Sequence, residues 1–357
     1  MARPPLGRGP TIVDVARAAE VSVSTVSRVV RDHPDVGEQT RARVHEAIDR
    51  LGYRPSPIAR ALVSGQTRLL ALLVSDIANP FYPQLAKSVE QAAKHDDYTV
   101  IICNTEDRTA ETRRYVERLL RQGLDGVIHA SAARDEKVLL SLMEDPRRVV
   151  FTNRRPSSDS VSYVVSDNRG GAVELTRHLL SLGHRRIGFI GGPSFARNAT
   201  ERLDGFTAAM AEVPDAVPLI AQGDFAVDDG GRAVHAWMDA MSGPTAIIAI
   251  NDSVALGALE ALTARRLRVP QDVALAGFDG VQLAASRVID LTTVDQHIEQ
   301  MGRLAVRILL RQLADSASAL PTREILPTEL LLRGSTEGAT GTWPGAHEAT
   351  AGATAPR

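Results

Sequence analysis

One cysteine, three lysines and no long apolar run set the first limits on this chain. Cys103 stands alone, which excludes an intramolecular disulfide framework and any zinc site built from several cysteines. No apolar stretch approaches the roughly 18 residues needed to cross a bilayer. The opening MARPPLGRGP lacks the apolar core of a secretory leader, so the cytoplasm is the expected compartment and no membrane partner is expected. What is present is ordinary for a globular protein: 44% hydrophobic and 24% charged residues, neither a disordered nor a fibrous composition. A length of 357 residues predicts roughly two to three domains at about 150 residues each.

The net charge of −2 conceals an asymmetry. Residues 1–65 hold ten arginines, no lysine and seven acidic residues, whereas Lys87, Lys94 and Lys137 all lie in the acidic remainder. A mildly basic head on an acidic body suits a small nucleic-acid-binding module joined to a larger domain. Arginine enrichment alone also follows from codon usage, so the residues of the head have to decide.

Thr11 followed by Asp14 reads as an N-cap with an acidic partner, opening a helix with Ile12, Val15, Ala16 and Ala19 on one face. Ser22 caps a second helix, in which Val26, Val29 and Val30 face inward while Val23, Ser24, Ser27, Arg28 and Arg31 face outward. Two short helices joined by so tight a turn make a helix-turn-helix. A third helix from Glu38 to Leu51 turns Val44, Ile48 and Leu51 inward and stops at Gly52. The outward set of the second helix is small and polar and ends in arginine, which suits close entry into a major groove. On helices alone, a three-helix module that binds protein is the alternative.

The runs TIVDVARAAEVSVSTVSRVV and TRARVHEAIDRLGYRPSPIARAL closely resemble the DNA-binding head of the lactose/purine repressor (LacI-type) family, unbroken over about 50 residues. Two positions depart from the pattern. Glu20 occupies a turn where the family often has Gly or Asn, which accept a left-handed conformation more cheaply. Gly37 replaces the serine that usually caps the third helix. The resemblance implies that Thr11 and Tyr53 touch phosphates and that Val23, Ser24, Thr25, Ser27 and Arg28 lie at or near the bases. Phosphate contacts set register and base contacts carry sequence information; for Thr25 and Ser27, capping and packing are the alternative.

The linker Ser56-Pro57-Ile58-Ala59-Arg60-Ala61-Leu62 has Ser as N-cap and Pro at the first helical position. About seven residues are too few for a helix stable by itself in water, so its folding is conditional on a partner. The resemblance implies a hinge helix that forms when two copies meet in the minor groove. Leu62 would then wedge between base pairs, a task that needs an apolar side chain.

From Leu69 onward, LLALLV, YTVIIC, GVIHA, RRVVFT, RIGFIG, TAIIAI and DVALAGF read as buried strands. Amphipathic stretches separate them, such as ETRRYVERLLRQG with Tyr115, Val116, Leu119 and Leu120 on its inner face. Alternation of this kind gives parallel sheets covered by helices. Seven strands with Asp167-Asn168-Arg169-Gly170-Gly171 as punctuation predict two similar α/β lobes. Enzymatic signatures are wanting. No GxxxxGK precedes Ser or Thr, and Gly188 with Gly191-Gly192-Pro193 makes no GxGxxG. Ser194 and Ser253 lack a GxSxG context. His178 and His184 have no cysteine or acidic partner at ligand spacing, which favours a surface or capping role over a metal. No catalytic set, cofactor or metal site is expected.

The same family resemblance continues through NPFY, SDNRGG, HLLSLGHRRIGFIGG, RLDGF, INDSVALGAL, RVPQDVALAGFDG and LTTVDQ, covering about 325 residues with the head. It implies an all-α helix-turn-helix head on an α/β, periplasmic-binding-protein-like body of two doubly wound parallel-sheet lobes, with a ligand between them. The implied organisation is a disordered start (1–10), a head (11–55), a hinge and linker (56–67) and a body (68–335). Within the body, residues 68–165 and 296–326 form one subdomain and residues 166–295 and 327–335 the other. In the cleft, Phe81, Tyr82 and Phe225 would pack on ligand rings, and Arg202, projecting from a helix start, would bond ligand oxygens with its fixed donors. Asn251 and Asp279 follow strand C-ends, where open α/β sheets place ligands, and Asn153 ends its strand likewise, where some relatives have Asp. The alternatives are plain packing for Phe81 and Phe225 and a structural salt bridge for Arg202 and Asp279. The Gly/Ala/Thr-rich segment 336–357 reads as disordered, and its want of leucine heptads favours a dimer over a tetramer.

Together these readings predict a ligand-responsive transcriptional regulator, a repressor as most of the resembling family are. It would bind a palindromic double-stranded DNA operator as a homodimer, with a small polar effector, a sugar or related metabolite, in the cleft. The rivals are a sugar-binding transport component, which should carry a leader and no head, and an enzyme, which should carry a catalytic set.

Overall fold

The computed structural model describes residues 10–30, 34–53, 66–131, 135–239, 243–314 and 320–338. The linker 56–62, with Leu62, and the segments 1–9 and 339–357 lie outside the described residues. The chain divides into two compact units, Met1–Thr67 and Arg68–Arg357.

The first unit is built on α1 (Ile12–Ala18), α2 (Val23–Val30) and α3 (Glu38–Leu51). The Thr11 hydroxyl accepts the Asp14 N–H at 3.4 Å and the Asp14 carboxylate accepts the Thr11 N–H at 2.8 Å, a reciprocal capping box that satisfies two orphan donors. Ser22 Oγ accepts the Thr25 N–H at 3.1 Å and starts α2. Gly37 offers no side-chain cap to α3. Gly52 closes that helix at φ 63, a left-handed position that a Cβ would strain, and Glu20 holds φ 53 in the turn with a full side chain. Val15, Val26, Val29, Val44 and Tyr53 form the small core, while Ile48 and Leu51 are only half-buried.

The body contains two parallel sheets. The first comprises β1 (Leu69–Val74), β2 (Thr99–Asn104), β3 (Gly126–His129), β4 (Val149–Thr152), β5 (Ser162–Ser166) and β11 (Arg323–Leu326), in the order β11-β5-β4-β3-β1-β2. The second comprises β6 (Arg186–Ile190), β7 (Val217–Ala221), β8 (Ala246–Ala249) and β9 (Ala274–Ala276), in the order β7-β6-β8-β9. Helices α4 (Phe81–His95), α5 (Thr109–Leu120) and α6 (Glu136–Met143) belong to the first lobe. Helices α7 (Asn168–Ser181), α8 (Arg197–Met210), α9 (Val227–Met238) and α10 (Asp252–Ala264) belong to the second. The chain passes between lobes after β5, and β10 (Thr293–Asp295) leads back to α11 (Ile298–Ala314), which packs on α4. After β11, β12 (Glu329–Leu331) pairs antiparallel with β10. Helices α9 and α10 touch so closely that a Cβ at Gly230 or Gly257 would strike the facing backbone.

Several expectations need correction. The stretch after Asp167 does mark the passage between lobes, but as a helix start and not a loop: Asp167 Oδ1 accepts the Gly170 N–H at 2.8 Å and caps α7. Thr336, assigned above to a disordered tail, is 1% exposed. Its hydroxyl lies 2.8 Å from that of Thr292 and 3.1 Å from His178 Nε2, so the packed body reaches past residue 335. His184 is not on the surface; it is 1% exposed and pairs with Thr245 Oγ1 at 2.9 Å. Burial, helped by nearby His178, pushes its pKa down to about 4. Strands β5, β7, β10, β11 and β12 lie outside the seven runs read as strands in the sequence. No helix among the described residues is long and apolar enough to cross a membrane.

Candidate functional site

The outer face of α2 presents Val23, Ser24 and Arg28 to solvent, with Thr25 and Ser27 half-buried beside them. The Ser22 hydroxyl lies 2.7 Å from that of Ser24 and 2.8 Å from that of Thr25, so the first turn is a knot of small polar groups. The Thr11 hydroxyl donates to the Asp14 carboxylate at 2.7 Å, and these bonds hold the Asp14 pKa below the usual carboxylate range. Tyr53 belongs to the packed interior of the head at 8% exposure.

The body holds a cleft of about 310 Å³, at the small end of ligand cavities. All seven residues named for it in the sequence line it: Phe81, Tyr82, Asn153, Arg202, Phe225, Asn251 and Asp279. Strand order reverses at β1/β3 in one lobe and at β6/β8 in the other, and the C-terminal ends of such strands open a crevice.

On the first wall, Phe81 meets Tyr82 edge-on, ring centroids 5.2 Å apart, and both are buried. Ser75 Oγ donates to the Tyr82 hydroxyl at 2.6 Å, and Asn153 Nδ2 donates to the Ala130 carbonyl at 3.1 Å. The sequence reading missed Arg154. This side chain is 2% exposed and donates to both carboxylate oxygens of Asp107, at 2.8 and 3.1 Å. Its guanidinium carbon lies 5.2 Å from the ring centre of Phe225 on the opposite lobe, within cation–π range. The Arg154 Nε is buried without a partner.

On the second wall, Arg202 projects from the middle of α8 and not from its start, which corrects the expectation. It donates to Asn168 Oδ1 at 2.9 Å, to the Ile250 carbonyl at 2.6 Å and to Asp279 Oδ1 at 3.3 Å. Its guanidinium lies 3.8 Å over the Phe278 ring, and Nη2 is buried with no partner. The structural salt bridge offered as an alternative is therefore present, and one donor of the guanidinium is left without an acceptor. Gln296 Nε2 also donates to Asp279 Oδ1, at 2.6 Å. Burial raises the pKa of Asp279 against the pull of Arg202, and burial together with the Asp279 charge raises that of neighbouring Asp252. Asn251 spends its carbonyl capping α10, accepting the Val254 N–H at 2.8 Å.

Five residues of this one cleft hold positive φ: Glu106 at 53°, Asp107 at 52°, Asn153 at 63°, Phe225 at 67° and Asp279 at 121°. Each such position costs about 1–3 kcal/mol and persists where the surroundings impose it, as at ligand sites. The lining contains no nucleophile–base pair, and no cluster among the described residues could hold a metal.

The family described as bacterial regulatory proteins, lacI family, matches residues 11–56, and the periplasmic binding protein-like domain matches residues 176–336. The ribose operon repressor of Halalkalibacterium halodurans is 34% identical over 328 residues, 92% of this chain and 97% of that protein. The chain belongs to the lacI family of bacterial regulatory proteins. Among solved structures it is similar to a transcriptional regulator CelR–cellobiose complex, with 32% identity, a TM-score of 0.68 and coverage of 91% and 99% of the two chains. The lac repressor dimer bound to operator and an anti-inducer aligns with a TM-score of 0.81 at 26% identity, covering 92% and 99%. Membership makes this lacI-family chain a transcriptional regulator with a DNA-binding head and a ligand-binding body, and not an enzyme.

Proposed function

We propose that this lacI-family protein is a dimeric repressor that docks α2 of each head in successive major grooves of a palindromic operator. Val23, Ser24, Thr25, Ser27 and Arg28 read bases; Thr11 and Tyr53 contact phosphates; Leu62, outside the described residues, acts as the minor-groove wedge. The observation that carries this reading is the solvent-facing first turn of α2, small and hydroxyl-rich with Arg28 exposed behind it. An effector of sugar-like chemistry occupies the interlobe cleft, held by Phe81, Tyr82, Asn153, Arg202, Phe225, Asn251 and Asp279. It acts through unequal affinity for DNA-competent and incompetent arrangements. A chromosomal operator makes the cytoplasm the working compartment.

The test is selection of duplexes from a random pool by the full-length protein, followed by binding titrations with Arg28→Ala. The expected outcome is a two-fold symmetric consensus whose affinity falls at least about fivefold in the variant, in line with about 1–3 kcal/mol for a lost base contact. A pool without two-fold symmetry, or a variant that binds equally well, would overturn the docking.

A further inference from the structure

We infer that the cleft selects carbohydrates bearing no acid group and rejects uronates, aldonates and sugar phosphates. This rests on the carbohydrate reading proposed above and narrows it to a charge class.

Two buried guanidiniums usually suggest an anionic ligand. Here each already has its counter-charge. Arg154 is bonded through two nitrogens to both oxygens of Asp107, and Arg202 meets Asp279 at 3.3 Å. Three further carboxylates, Asp76, Glu106 and Asp224, line the same cleft and are exposed; Glu106 meets Arg108 at 3.6 Å, which leaves Asp76 and Asp224 as the excess. No lysine, histidine or further arginine is among the lining residues. An incoming carboxylate or phosphate would therefore meet an excess of like charge, the kind of unfavourable contact that sets specificity.

Acceptors are plentiful in the cleft, yet one donor on each wall has none. Arg154 Nε on one wall and Arg202 Nη2 on the other are buried donors with no partner, and a buried donor left unmade is costly. A sugar hydroxyl or ring oxygen accepts such a bond without bringing charge. The same hydroxyl can donate its proton to a carboxylate, as Gln296 Nε2 already does to Asp279. Phe81, Tyr82 and Phe225 supply flat apolar surface for the C–H face of a sugar ring.

The test uses the full-length protein at pH 7.5 and low salt, because exposed charges are screened within roughly 10 Å at 0.1 M. Charge-matched probes are screened by thermal shift and then titrated by calorimetry: glucose, glucosamine, glucuronate and glucose 6-phosphate; ribose and ribose 5-phosphate; cellobiose and cellobionate. The expected result is a neutral or amino member whose Kd lies at least tenfold below that of its acidic counterpart. Asp224→Asn and Asp76→Asn, both at exposed positions, should each narrow that gap about threefold. An acidic member that binds as tightly as its neutral counterpart overturns the charge selection and leaves the carbohydrate reading standing. No binding by any probe overturns both.

Discussion

Arg154 and Arg202 repeat one arrangement on the two walls of the cleft. Each is 2% exposed, is bonded to a carboxylate, lies beside an aromatic ring and keeps one nitrogen unpartnered. The difference is where the partners come from. Arg202 is held by Asn168, by the Ile250 carbonyl and by Asp279, and lies over Phe278, all in the second lobe. Arg154 takes Asp107 from its own lobe but Phe225 from the other. The Asp107 side chain is 21% exposed against 6% for Asp279. The second wall is thus preset by its own lobe apart from the Gln296 bond to Asp279, whereas the first wall carries an aromatic contact that lobe movement makes or breaks.

The strongest way to break this distinction is Arg202→Ala, which strands Asp279 in the interior. Removing one partner of a buried pair typically costs about 3–5 kcal/mol, so the apo body should lose a comparable amount in urea unfolding, as well as ligand affinity. A denaturation midpoint equal to that of the parent would show that the second wall is not preset. Arg154→Leu should cost less, about 1–3 kcal/mol, because Asp107 can turn to solvent. A loss equal to that of Arg202→Ala would erase the difference between the walls. The smallest effect concerns pH. Because burial makes Asp252 and Asp279 hold protons more tightly folded than unfolded, their contribution to stability is full below about pH 4 and is lost as pH rises from there through the raised titration of the pair. Asp252→Asn should flatten that decline and raise the apo melting temperature at pH 8 by about 2–4 °C. A variant that declines as steeply as the parent would remove the carboxyl pair from the account.

The head was legible because its determinants are local. Thr11 and Asp14 form the capping box that their spacing announced, and α3 runs over Glu38–Leu51 as its apolar stripe predicted. The continuous apolar runs of the body gave seven strands for the same reason. Strand β7 is an apolar run, but Pro218 in its middle argues against a strand and places it at a sheet edge with mostly exposed residues. Strands β10 and β12, three residues each, are too short to leave a period. The seven cleft positions came from family resemblance, which carries positions but not burial. Arg154 escaped because an arginine after Asn153 reads as a surface residue until a carboxylate from another loop is seen beside it. The burial of Arg202, by contrast, has a signal in the sequence. Asn198, Ala199, Arg202, Gly205, Phe206 and Ala209 recur at helical spacing, and all six are buried.

The place of β11 at the edge of the first sheet has a consequence for biosynthesis. Its register joins Tyr163 to Arg323, and the neighbouring bond joins Ser162 to Thr322 across 160 residues of chain. The second lobe's sheet, from Arg186 to Ala276, is uninterrupted in sequence and can close while the ribosome is still working. The first lobe emerges earlier yet must wait for α11 and β11 to return. Contacts so distant along the chain form slowly, and until they form, β5 presents an unpaired edge to any neighbouring strand. The nascent chain is therefore most exposed to aggregation after its first lobe has left the ribosome and before its last strand has arrived.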